Sequence, residues 1–287
     1  MKTSFTFQSW NLWFGGSRVA DGSAKIAAVA AQYPADVRVL QECNFERGHD
    51  LSRTLGYNHV QQGWDNAVSS KFPAEHVPTD TDPYAVASWV HTPGGRVLVW
   101  GVHLDHRDYG PYGVLRGDNA ANVYAAPGEA GRLEQIEKVL AETERIVNGA
   151  EAASDVPVII AGDFNCPSTH DWKHRQDRPD FAWPVVDAPL DAGFEDAFRQ
   201  ANPDVATAVG DTWSTIEPLS EEPRDRIDFV FVRGLTVIEA ATIGNAPGGL
   251  AETSFINCAV GDRSIPEHPD NAYPSDHLIV QVEIEVS

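Results

Sequence analysis

Cysteine is scarce. There are three, Cys43, Cys166 and Cys258, far apart and odd in number. That spacing offers neither a disulfide framework nor a zinc–thiolate site. Cys43 and Cys166 each stand beside a polar cluster and read as small buried neighbours, not nucleophiles. Positive charge is scarce too: 21 Lys and Arg against 42 Asp and Glu give a formal net charge of -21. A non-specific grip on DNA or RNA uses a basic track. None is visible, so long nucleic acid falls in rank as a substrate. The acidity reads as a solvated surface, with charge that also attracts cations or repels polyanions as the alternative. No apolar run reaches membrane-spanning length. The N-terminal MKTSFTFQSWNLWFGG has no long apolar region and no small-residue cleavage site. It reads as a first strand instead of a signal peptide, with the cytoplasm as default location. HExxH, Walker A, GxGxxG and GxSxG are all missing, which weakens serine-hydrolase and dinucleotide readings.

What is present suits one α/β domain over residues 1–287, with 42% hydrophobic and 22% charged residues. Strand-like runs cover Phe5 to Trp10, Val37 to Gln41, Tyr84 to Val90, Arg96 to His103, Val156 to Ala161, Ile227 to Val232, Val237 to Thr242 and Leu278 to Val286. Helical spacing covers Ala24 to Gln32 and Gly131 to Gly149, with a weaker run at Phe194 to Asn202. The order is not a regular βαβ repeat and predicts two packed mixed sheets with outer helices. Three connections, Asp105 to Pro127, Cys166 to Asp191 and Gly244 to Pro274, are long enough to suggest a function.

The chemistry gathers where apolar strands meet loops. VPVIIAGDFNCPS runs into Asp163 and Asn165, two apart and so on one side of a strand. Alone, that pair reads equally well as a turn. The pattern recurs at Asn11, at Glu42, at His103 with Asp105, at Asp228 and at Asp276–His277. Unpaired buried charge is costly, so a shared ion and a hydrogen-bonded network explain six such ends better than six unrelated edges do. Oxygen ligands without clustered thiolates suit Mg²⁺ or Mn²⁺ better than zinc.

The ordered set WN (Trp10–Asn11), QE (Gln41–Glu42), HLD (His103 to Asp105), GDFN (Gly162 to Asn165), RIDFVF (Arg226 to Phe231) and SDH (Ser275 to His277) resembles the endonuclease/exonuclease/phosphatase superfamily of DNase I-like proteins. The resemblance implies a four-layered α/β/β/α sandwich with the site at one edge of the sheets. It implies Glu42 as the main metal carboxylate, supported by Asn11 and Asp276. Asp163 would orient or deprotonate the attacking water, and Asn165 would hold a phosphate oxygen or the nucleophile. His103 would donate to a non-bridging oxygen. His277 would contact the phosphate or transfer a proton, with Asp228 fixing its tautomer. RLEQI resembles the family's backing helix, making Arg132 and Gln135 support residues or else a solvent-facing pair.

Other residues stay open. Asp105, His106, Asp108 and Tyr109 suit a second metal position, substrate contacts or a hydrogen-bonded loop; Tyr109 and Tyr112 suit packing equally. Asp171 and Trp172, with the basic run Lys173 to Arg178, suit a grip on a substrate's far end or a solvated loop. Trp213 suits a pocket wall or a core seal. The leading expectation is metal-dependent hydrolysis of a small or medium phosphorylated substrate by activated water. A nuclease is the alternative, and a binding or scaffold protein on the same fold is the non-enzyme one.

Overall fold

The computed structural model describes residues 3–150, 156–216, 224–244 and 273–286. Cys258 and most of the Gly244 to Pro274 connection lie outside them.

The first part of the chain runs β1 (Thr3–Asn11), a kinked turn α1 (Trp13–Gly16), α2 (Gly22–Gln32), β2 (Val37–Gln41), α3 (Glu46–Leu55), β3 (Asn58–Gln62) and β4 (Asn66–Ser70). Next come β5 (Ala74–Val77), β6 (Ala85–Thr92), β7 (Gly95–His103), α4 (Gly110–Arg116), α5 (Ala120–Ala125), α6 (Pro127–Asn148) and β8 (Val158–Asp163). Then follow α7 (Thr169–His174), α8 (Pro184–Asp191), β9 (Glu195–Asp196), α9 (Ala197–Ala201), β10 (Asp228–Arg233), β11 (Thr236–Ile243) and β12 (Ile279–Val286).

These strands form two mixed sheets, ordered β11-β12-β1-β2-β4-β3 and β5-β6-β7-β8-β10-β9. Each holds one parallel pair, β1 with β2 and β7 with β8. A parallel pair needs a crossover; α2 lies within the first and α6 within the second. Period-two alternation then builds three apolar layers. In β7, Val97 and Val99 face the space between the sheets, while Leu98, Trp100 and Val102 face the outer layer that contains Ile136 and Val139 of α6. In β10, Val230 and Val232 face inward and Phe229 and Phe231 outward. The other outer layer joins Trp10 and Leu40 to Ile26 and Val29 of α2. The result is the α/β/β/α sandwich.

Several sequence expectations need correction. The run Phe194 to Asn202 is not one helix. Asp196 pairs with Phe231 in the sheet, and its carboxylate caps the amides of Phe198 and Arg199, so the helix starts only at Ala197. The connections Asp105 to Pro127 and Cys166 to Asp191 contain α4 and α5, and α7 and α8. Three short strands, β3 to β5, and helix α3 have no counterpart among the expected elements.

Candidate active site

The C-terminal ends of the parallel strands and the N-terminal ends of their antiparallel neighbours meet at one edge of the sandwich. Asn11 ends β1, and Glu42 follows β2. His103 ends β7 in register with Asp163 at the end of β8, and Asp163 is in register with Asp228 at the start of β10. His277 lies two residues before β12 and bridges to Trp213. Gly162 (φ +150°) makes this register possible, because a Cβ there would meet the Val102 carbonyl oxygen at 1.8 Å. Phe164 goes into the outer core between Asp163 and Asn165, which both line the site cavity.

Asp163 is the hub, and only 1% exposed. Its Oδ2 accepts from Asn11 Nδ2 at 3.0 Å, and its Oδ1 accepts from the Asn165 amide at 2.8 Å. Two imidazoles face it, His103 Nε2 at 3.7 Å and His277 Nε2 at 3.6 Å from Oδ2. Each ring is held from behind by a carboxylate: His103 Nδ1 donates to Asp65 Oδ2 at 2.7 Å, and His277 Nδ1 to Asp228 Oδ2 at 2.8 Å. Burial lowers both imidazoles, but the carboxylates win. Asp65, Asp163 and Glu42 carry His103 up to about 10, and Asp228, Asp163 and Asp276 hold His277 well above its ordinary value. The His103 ring is therefore cationic at neutral pH, and the carboxylates around His277 favour its charged form in the same direction. Burial also raises Asp163; the His277 charge opposes this and Asp228 adds to it.

Glu42 sits on the other side of Asn11. Its Oε1 accepts from Asn11 Nδ2 at 3.2 Å and its Oε2 from the Phe14 amide at 2.7 Å. Asn11 Oδ1 accepts from the Trp13 amide at 2.9 Å. Asp276 Oδ2 accepts from the Trp213 indole at 3.1 Å, while its buried Oδ1 has no hydrogen-bond partner. Burial pushes Asp276 up to about 7; His277 opposes this and the Glu42 charge adds to it.

An orphaned carboxylate oxygen beside a second carboxylate fits a hard cation. Asp163, Asp228 and His277 also offer ligand atoms within 4.8 Å of one another. Asp228 Oδ1 there is likewise without a hydrogen-bond partner, but His277 already faces both carboxylates, at 2.8 Å from Asp228 and 3.6 Å from Asp163, whereas it lies 3.9 Å from Asp276 Oδ1, so the Glu42–Asp276 side fits better.

The remaining expected residues divide. Arg132 is fully buried and donates to the carbonyls of Asp105, Arg107 and Asp108, and Gln135 accepts from the Asp105 amide. Both fasten the loop after β7. Asp105 binds Arg107 within that loop, and Asp108 accepts from the Gly128 amide at the start of α6. His106 and Tyr109 line the cavity, as does Trp213.

Asp171 is a correction. It is 4% exposed and clamped between Arg199 (2.6 Å) and Arg226 (2.8 Å), a structural ion pair and not a substrate contact. The two arginines of the basic run are also paired, Arg175 with Asp177 and Asp211, and Arg178 with Asp177 and Asp225. Two important residues were missed. Asp65 lies in a GWDN turn that sequence reads as ordinary turn chemistry. Asp225, beside the RID motif, accepts from Tyr109, Trp172 and Arg178 and so ties the cavity wall to the core.

The chain matches the Endonuclease/Exonuclease/phosphatase family over residues 9–277, and it belongs to that family. An uncharacterized protein of Caenorhabditis elegans is 30% identical, covering 95% of this chain and 88% of that protein. Among solved structures, D. rerio TDP2 complexed with single strand DNA product shares 19% identity at a TM-score of 0.62, covering 98% of this chain and 99% of that one. The mannosyl-6-phosphatase of Bacteroides thetaiotaomicron shares 19% identity at a TM-score of 0.56, covering 97% and 98%. These likenesses establish the DNase I-like fold. No helix among the described residues is long and apolar enough to cross a membrane.

Proposed function

We propose that the chain is a divalent-metal-dependent phosphoesterase that uses activated water on a small or medium phosphorylated substrate. One observation carries this reading: two carboxylate-backed imidazoles converge on the single buried carboxylate Asp163, next to a pair of acidic side chains. Glu42 and Asp276 would hold Mg²⁺ or Mn²⁺, and Asn11 links that pair to Asp163. A bound ion of this kind neutralises phosphoryl charge and acidifies water.

The protein's own groups supply the rest. The Nε2–H groups of His103 and His277 donate to non-bridging phosphoryl oxygens, where negative charge grows during attack. Asp163, raised by burial, accepts the proton of the attacking water while Asn11 and the Asn165 amide fix its two oxygens. Asp65 and Asp228 orient the rings and keep them charged.

The test is a panel of phosphomonoesters and diesters, beside plasmid and single-stranded DNA, with Mg²⁺ or Mn²⁺. Asp163→Asn should lower kcat by roughly 10²-fold or more with little change in KM. Full turnover in a chelator, or in the variant, refutes the reading. The fold likeness to a TDP2 bound to single strand DNA product keeps a nuclease in view. Cleavage of polymer in preference to small esters would select it. The -21 net charge and the paired arginines weigh against it.

A further inference from the structure

The cavity above Asp163, about 360 Å³ in volume, has a charged floor and an aromatic wall. Six aromatic side chains line it: Trp13, Phe14, Trp64, Tyr109, Tyr112 and Trp213. Tyr109 meets Tyr112 and Trp213 edge-to-face at 5.1 and 5.5 Å, so these three form one continuous surface. At the mouth, Phe14 and Trp64 are each 38% exposed. Trp13 (φ 49°) and Phe14 (φ 53°) sit in the left-handed backbone region, a strained conformation for bulky residues that recurs at ligand clamps.

No Lys or Arg lines this cavity among the described residues. Arg107 is engaged with Asp105 and Arg116 with Asp118, while Arg18 lies over the ring of Phe14 at 4.8 Å and is not among the lining residues. Among the described lining residues, His103 and His277 on the floor, beside the acidic pair proposed to hold the ion, make one phosphoryl subsite, and no Lys or Arg builds a second one on the wall. A second phosphate would lie unpaired against aromatic rings in an acidic protein, which is costly.

Resting on the phosphoesterase reading, we infer that the substrate carries a single phosphoryl group joined to a flat, uncharged, aromatic-sized moiety that stacks on this wall. Polyphosphorylated metabolites and polynucleotides are disfavoured by the same geometry.

Calorimetric titration of the Mg²⁺-supplemented protein with non-hydrolysable phosphonates tests this without turnover. 2-(Naphthyl)ethylphosphonate should bind at least tenfold tighter than ethylphosphonate. A second phosphonate on the naphthyl ring should weaken binding. Trp64→Ala and Tyr112→Ala should each shrink the naphthyl-to-ethyl ratio while leaving ethylphosphonate affinity unchanged. A ratio near one, undetectable naphthyl binding, tighter binding with the second phosphonate, or a ratio indifferent to both variants overturns the inference. Strong naphthyl preference with no hydrolysis of the matching phosphate esters would instead sink the phosphoesterase reading and leave the aromatic subsite standing.

Discussion

Asp65 is the sharpest handle on the site, because replacing it by asparagine separates charge from geometry. Its Oδ1 accepts from the Glu42 amide at 2.7 Å and its Oδ2 faces His103 Nδ1 at 2.7 Å. In Asp65→Asn the amide oxygen keeps the Glu42 contact, which turns the NH₂ toward His103. Nδ1 must then accept, so His103 becomes neutral with its remaining proton on Nε2, still aimed at Asp163. Only the positive charge is lost. At an effective dielectric of about 20, a charge pair at this separation attracts by at most about 6 kcal/mol. That is several pKa units at about 1.4 kcal/mol each, enough to explain why a buried His103 reaches about 10. Without it, burial is opposed only by the Asp163 and Glu42 charges, and the imidazole falls well below its wild-type value. Losing one charged donor to the transition state should cost roughly 10²-fold in kcat at pH 7.5. The wild type should show no loss attributable to His103 until the pH nears about 10. Rates from pH 6 to 10, with histidine proton resonances followed in parallel, read both effects. A variant within threefold of wild type, or with every histidine titrating as before, refutes the assigned role of the Asp65 charge.

Metal binding should strengthen as pH rises through about 7, since Asp276 must shed its proton to become a ligand. Mg²⁺- or Mn²⁺-induced gains in Tm should therefore be larger at pH 8 than at pH 6, and Asp276→Asn should abolish them without lowering the metal-free Tm; equal gains at both pH values would contradict this. Asp171→Ala strips a buried carboxylate from Arg199 and Arg226 and should cost about 3–5 kcal/mol of stability by urea unfolding. A raised KM at unchanged stability would instead restore Asp171 as a substrate contact.

Legibility in the sequence followed the range of each signal. Asp163 and Asn165 were readable because strand alternation is local: Phe164 enters the core, so its neighbours must face the other way. The pairing of His277 with Asp228, 49 residues away, came from the family resemblance and from no local rule. Asp65 was invisible because a carboxylate between Trp64 and Asn66 has the chemistry of any turn; only the β2–β4 register brings it to His103. Asp171 was misread for the converse reason. A carboxylate beside a basic run suggests a surface, whereas its partners Arg199 and Arg226 arrive from 28 and 55 residues further along. The short strands β3 to β5 were missed because four or five half-polar residues carry too little periodicity.

The arrangement of the two imidazoles links chemistry to packing. His103 ends a strand of one sheet, and Asp65 precedes a strand of the other; His277 precedes a strand of that other sheet, and Asp228 begins a strand of the first. Asn11 reaches from one sheet to Asp163 on its partner. Each bond that sets a charge or a tautomer therefore crosses the interface between the sheets. Neither sheet alone holds a protonated, oriented histidine, and the raised His103 and His277 are consequences of the apolar layer of Val39, Val99, Ile159 and Val230 that fixes the sheet separation. Interiors packed to crystal-like density tolerate little sliding, which is how a fold built from two ordinary mixed sheets keeps Nε2 atoms within 3.7 Å of a common carboxylate.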